Sequence, residues 1–111
     1  DGARVTILYV IPRYEEMVEF FRTDSIRNSL YQEAEKVVNE AKKVASEMGI
    51  AVQAEVLEGY AADEIIKTAE KRESDLIVMG TYGWKGMSKA IMGSTTNRVI
   101  AHANCPILVV K

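Results

Sequence analysis

A chain of 111 residues, with 14 Lys plus Arg against 16 Asp plus Glu and a net charge of −2, has the length of one domain and no electrostatic case for nucleic acid or an anionic membrane. Hydrophobic residues at 48% and charged residues at 27% exclude disorder, and no apolar run reaches the roughly 18 residues that a membrane span needs. The single cysteine, Cys105, excludes an internal disulfide framework, and no leader precedes Val5, so a cytoplasmic domain is expected.

Val5–Ile11 is an apolar, β-branched run closed by Pro12, the pattern of a strand buried on both faces of a parallel sheet. Residues 12–29 are mixed. Met17, Phe20 and Phe21 have helical spacing there, and Thr23-Asp24-Ser25 either ends a turn or caps a helix. From Leu30 to Met48, the apolar residues Leu30, Ala34, Val37, Val38, Ala41, Val44, Ala45 and Met48 recur at helical steps between Glu and Lys. Gly49 is placed to end that helix. Val52–Leu57 alternates as a strand with one wetter face, and Gly59-Tyr60 turns the chain. A second helix carries Ile65, Ile66 and Ala69 to about Arg72, and Leu76–Met79 is a short apolar strand. A third helix is expected over Ser94–Ala103, stopped by Pro106 before the last strand, Ile107–Val110. Strands alternating with helices give an α/β fold: an open parallel sheet with helices on both faces.

Ligands of open α/β sheets bind beyond the carboxyl ends of strands. Such a place here follows Met79. It reads Gly80-Thr-Tyr-Gly83, then nine residues, then Gly93-Ser94-Thr95-Thr96. Gly80 and Gly83 let the backbone approach a ligand closely. A helix opening at Gly93-Ser94 would offer free N–H groups and a positive dipole end to an anion, and Ser94, Thr95 and Thr96 add hydroxyls. The pattern is neither a Walker loop nor the dinucleotide fingerprint. The same residues also suit a plain turn before a helix capped by Ser94, and sequence physics leaves both readings open.

Met79-Gly80-Thr-Tyr-Gly83 with Gly93-Ser94-Thr95 resembles the G-2x-G-9x-G-(S/T) signature of the ATP-binding members of the universal stress protein family. Gly2–Ile11 resembles that family's second strand, Ala62-Asp-Glu-Ile-Ile66 the helix before its fourth strand, and Asn97–Val110 its C-terminal end. The resemblance implies the three-layer, Rossmann-like architecture of the adenine-nucleotide α-hydrolases, with strand order 3-2-1-4-5. The four strands here correspond to strands two to five. Residues 1–111 would then be one family domain lacking the first, central strand and its helix. The resemblance further implies ATP, with Val10 against adenine, Met79 close by, and Gly80, Gly83, Gly93, Ser94 and Thr95 around ribose and phosphates. Any Mg²⁺ would ride on ATP, since no acidic ligand cluster stands near the motif. It also implies a homodimer through the strand at 107–110, whose apolar edge would otherwise stand unpaired.

No catalytic constellation accompanies these residues. His102 is a lone histidine and reads as structural or superficial, and Cys105 reads as an inert buried thiol. Trp84 reads as a packing contact, an exposed anchor or an aromatic over the ligand, and Tyr82 stands where the family often has His. The expected function is a nucleotide-dependent stress or signalling module with at most weak ATPase activity. Its alternatives are a dimeric module that binds no nucleotide, or a slow nucleotide hydrolase. The hydrolase is disfavoured by the absence of an SGGxDS-type loop.

Overall fold

The computed structural model describes residues 3–12, 24–80 and 89–110. The chain resolves into two compact units, Asp1–Tyr60 and Ala61–Lys111.

The first unit is a βαβ element: β1 (Val5–Pro12), α1 (Asp24–Glu47) and β2 (Val52–Gly59). The strands are parallel and in constant register, from Val5 opposite Val52 to Pro12 opposite Gly59. Tyr9, Ile11 and Val56 share the face that α1 covers, where Ile11 and Ala34 are fully buried and Leu30 and Tyr31 pack against them. Val10 and Leu57 take the other face, since side chains alternate along a strand. The helix is longer than the apolar stripe from Leu30 predicts. It starts at Asp24 because Arg27 and Tyr31 anchor its first two turns to Glu58 at the end of β2. It ends in a Schellman motif: the Ile50 N–H reaches the Ala45 carbonyl at 2.8 Å and the Gly49 N–H that of Ser46 at 3.0 Å, with Gly49 at φ +76°.

The second unit contains α2 (Ala61–Lys71), β3 (Ile77–Gly80), α3 (Lys89–His102) and β4 (Ile107–Val110). Helix α2 has Asp63 and Glu64 in its first turn and Lys71 in its last, each matching the helix dipole. It closes with the same motif as α1, but the left-handed position holds Glu73, at φ +52°. Its N–H bonds the Glu70 carbonyl at 3.1 Å, and that of Ser74 the Ala69 carbonyl at 2.9 Å. Arg98 Nε on α3 donates to Asp63 Oδ1 on α2 at 3.3 Å, and Asn104 Nδ2, in the turn after α3, donates to Glu70 Oε2 on α2 at 3.0 Å. Ala62, Thr96 and Val99 are buried in this unit. Strands β3 and β4 pair in parallel, with Ile77 opposite Ile107 and Gly80 opposite Val110.

The fold is therefore α/β with parallel strands, and β1–β2 and β3–β4 are the neighbour pairs that the expected order requires of strands two with three and four with five. Among the described residues, no helix is long and apolar enough to cross a membrane. One expectation is corrected. Helix α3 begins at Lys89, not at Ser94, so Gly93 and Ser94 lie inside it. The run Lys89-Ala90-Ile91-Met92 is made of residues compatible with helix, and a single interior glycine costs only about 1 kcal/mol relative to alanine. The free N–H groups of α3 consequently precede Gly93.

Candidate functional site

Of the residues expected at a ligand site, Val10 stands near the carboxyl end of β1 in the first unit and Met79 and Gly80 at that of β3 in the second, while Gly93 to Thr96 lie within α3. In the first unit Val10 is half-buried, two residues before the end of β1, on the face opposite α1. In the second, Met79 and Gly80 are the last residues of β3. Met79 is half-buried and Gly80 exposed, so the end of that strand presents backbone without a covering side chain. Gly83, like Tyr82 and Trp84, lies outside the described residues.

Three hydroxyls follow on α3, which leads the chain back to β4, the partner of β3. Helical geometry separates them. Ser94 is exposed, Thr95 half-buried, and Thr96 buried at 9% exposure on the inward face with Val99. Among the described residues, the Oγ1 of Thr96 has no hydrogen-bond partner. Ser94 and Thr95 are thus available as donors to an outside group, whereas Thr96 carries a buried polar atom at a cost. Exchanging Thr96 for valine should remove that desolvation cost, so Thr96→Val is expected to raise stability by about 1 kcal/mol in urea denaturation. A loss of stability would mean that the hydroxyl has a partner.

Taken unit by unit, the first presents the half-buried apolar Val10, and the second presents the half-buried Met79, the exposed Gly80 and the hydroxyls of Ser94 and Thr95. No group of three His, Cys, Asp or Glu side chains is arranged to hold a metal ion among the described residues. His102 is exposed in the last turn of α3, and Cys105 is half-buried rather than enclosed.

Sequence reasoning passed over a charged cluster in the first unit. The Glu58 side chain, only 8% exposed, accepts at Oε2 from Tyr31 Oη at 2.6 Å and from Arg27 Nε at 3.1 Å and Nη2 at 2.9 Å. The hydrogen bond to Glu58, with some burial, holds the Tyr31 proton to higher pH than an ordinary tyrosine, and the same carboxylate raises the pKa of Arg27. Nothing local in the sequence marks this cluster, because Glu58 is far from Arg27 and Tyr31 along the chain. It is visible only once β2 is paired with β1.

A cavity of about 280 Å³ also exists in the second unit, lined by Ile66, Ala69, Glu70, Glu73, Asn104 and Cys105, among others. These residues precede β3 and β4 or end α2, so the cavity lies at the opposite end of the strand pair from Gly80.

The family model described as the Universal stress protein family matches residues 1–111. Universal stress protein MJ0531 of Methanocaldococcus jannaschii is 45% identical over 86 residues, covering 78% of this chain and 51% of the relative. MJ0577 of the same organism is 32% identical over 106 residues, covering 96% of this chain and 65% of the relative. The chain thus spans between half and two thirds of the length of these curated relatives. A solved structure of MJ0577 superposes with a TM-score of 0.85 at 34% identity, over 100% of this chain and 77% of its own. A universal stress protein solved in complex with cAMP shares the fold, at a TM-score of 0.60 and 19% identity, over 99% of this chain and 74% of its own.

Proposed function

The chain belongs to the universal stress protein family, and from that premise we propose that it is an adenine-nucleotide-binding module whose ligand is ATP. The observation that carries this reading is the placement of the glycine–serine pattern. Gly80 ends β3 uncovered, and Gly93-Ser94-Thr95 stand on the helix that follows, with Ser94 exposed. A family member solved with cAMP supports the class of ligand.

In this reading Val10 lies against the base and Met79 close by. Gly80, Gly83 and Gly93 let backbone approach the ribose and phosphates, and Ser94 and Thr95 donate to oxygen. Thr96 shapes the helix from within, since its side chain is buried. Mg²⁺ arrives on the nucleotide. The residues bind and orient, and none of those named is placed to activate water, so the reading is a nucleotide-dependent stress or signalling switch with at most slow hydrolysis. The same reading takes residues 1–111 as one family domain, cytoplasmic and homodimeric. The dimer would form through β4, where Leu108, Val109 and Val110 are exposed and apolar.

Calorimetry with ATP tests the proposal, comparing the natural protein with Gly80→Val. Valine suits the end of a strand, so the variant should keep its melting temperature. Micromolar binding in the natural protein and affinity lowered at least about tenfold in the variant are expected, because a branched side chain closes the approach to the backbone. No binding at millimolar ATP overturns the reading. Turnover well above about one per minute without a partner would favour a hydrolase instead.

A further inference from the structure

The Glu58 cluster has no part in the ligand contacts just assigned, and stability alone does not ask for it. A carboxylate this enclosed is costly to desolvate, and an apolar side chain of similar size commonly serves stability as well or better. What a carboxylate supplies, and an apolar group does not, is directional acceptance of several donors. Here one oxygen gathers three, from Tyr31 and from two nitrogens of Arg27.

Those donors define a geometry. Glu58 sits directly across the ladder from Ile11. Tyr31 contributes to the core around Ile11 and Ala34 while its hydroxyl reaches Glu58. Tyr31 and Glu58 therefore hold the Ile11 rung from two directions, through packing and through a hydrogen bond. Arg27, one helical turn earlier and half exposed, holds the carboxylate in place. Because neighbouring strand residues point to opposite faces, the pleat that seats Ile11 under α1 also fixes the height of Val10 on the other face.

We infer that Glu58, acting through Tyr31 and Arg27, is a positioning residue that sets Val10 at the base-facing end of β1. This rests on the nucleotide reading above and adds to it a determinant of base affinity that touches no ligand. Glu58, Tyr31, Arg27 and Val10 all belong to the first unit, so the effect is expected on the base.

The test uses the intact protein with three probes: ATP, adenosine, and inorganic tripolyphosphate read by competition. Tyr31→Phe deletes one oxygen and retains the ring in the core. Glu58→Gln retains an acceptor but removes the charge that holds Arg27. Measured well below the melting temperature, each is expected to weaken ATP and adenosine by the same factor, roughly three- to tenfold, and to leave tripolyphosphate unchanged. The double variant should be no weaker than the worse single one, since both changes remove one cooperating unit. If Glu58→Gln does not fold, Tyr31→Phe decides alone. Variants that bind ATP and adenosine like the natural protein, or that lose all three probes equally, overturn the positioning role while leaving the nucleotide reading intact. A natural protein that binds neither ATP nor adenosine fails the nucleotide reading itself.

Discussion

Replacing Ile11 by alanine is expected to destabilise the first unit by about 3 kcal/mol, read as a lower urea midpoint with little change in slope. Ile11 is 1% exposed, and it is the largest described side chain of this unit that is fully enclosed. Truncation removes three carbons from contact with Ala34, Leu30 and Tyr31 and leaves a space beneath α1. The surrounding Tyr9, Leu30, Tyr31 and Val56 are only partly buried, so they can move inward and refill some of it. That places the cost in the middle of the usual range and not at its top. Backbone preference adds to the loss, because alanine suits a strand less well than isoleucine. Ile11→Val, which removes one carbon and keeps the β-branch, should cost about 1 kcal/mol. A loss below 1 kcal/mol for the alanine variant would show that the Ile11–Ala34 contact does not organise this unit.

The second large effect is expected at Val99, whose side chain is completely buried on α3. Here transfer and backbone terms oppose each other. Val99→Ala gives up two buried carbons at roughly 1 kcal/mol each, plus whatever cavity remains. Alanine then returns about half a kcal/mol, because it has no χ1 freedom to lose against the preceding turn of the helix. The net loss should be about 2 kcal/mol, smaller than at Ile11, although Val99 is enclosed as fully. Amide exchange reads the difference by location: Ile11→Ala should speed exchange along β1 and β2, and Val99→Ala along α3. Equal acceleration everywhere in either variant would contradict an assignment of each residue to its own unit.

The sequence was most legible where apolar residues run together or recur at a fixed step. The run Val5–Ile11, the stripe through Leu30, Ala34 and Val38, and the terminal Ile107–Val110 each carry their pattern locally, and each is an element of the fold. Gly49 marked its helix end for a local reason as well, since a left-handed backbone favours glycine. The end of α2 near Arg72 is legible, but its left-handed position is not, because Glu73 occupies it and glutamate carries no turn signature. The start of α1 is hidden from the local sequence for a different reason. Asp24 to Ser29 are held in helix by Glu58, which lies beyond the whole of α1, so no window centred on the helix contains the cause. The candidate site was legible as a motif and less so as a geometry. Gly93-Ser94 looked like the opening of a helix because glycine and serine favour such positions, but the helix formers ahead of them carry α3 back to Lys89. Thr96 looked like a third ligand donor by adjacency, and helical rotation turns it inward.

The parallel ladders also constrain how the chain assembles. Every rung of β1–β2 joins residues about 47 positions apart and every rung of β3–β4 residues about 30 apart, so neither pair forms by local zippering and each must close a long loop first. The difference in closure entropy between the two is small, only about 0.4 kcal/mol, because it grows with the logarithm of loop length. What separates them is the content of the loop. More than half of the first is α1, and its 24 residues, once helical, behave as a single rod about 36 Å long. Docking of Leu30 and Ala34 onto β1 then delivers β2 to its partner with most of the search already removed. The contact that anchors the start of that rod, Arg27 and Tyr31 on Glu58, forms only when β2 arrives, which makes it a late event in folding.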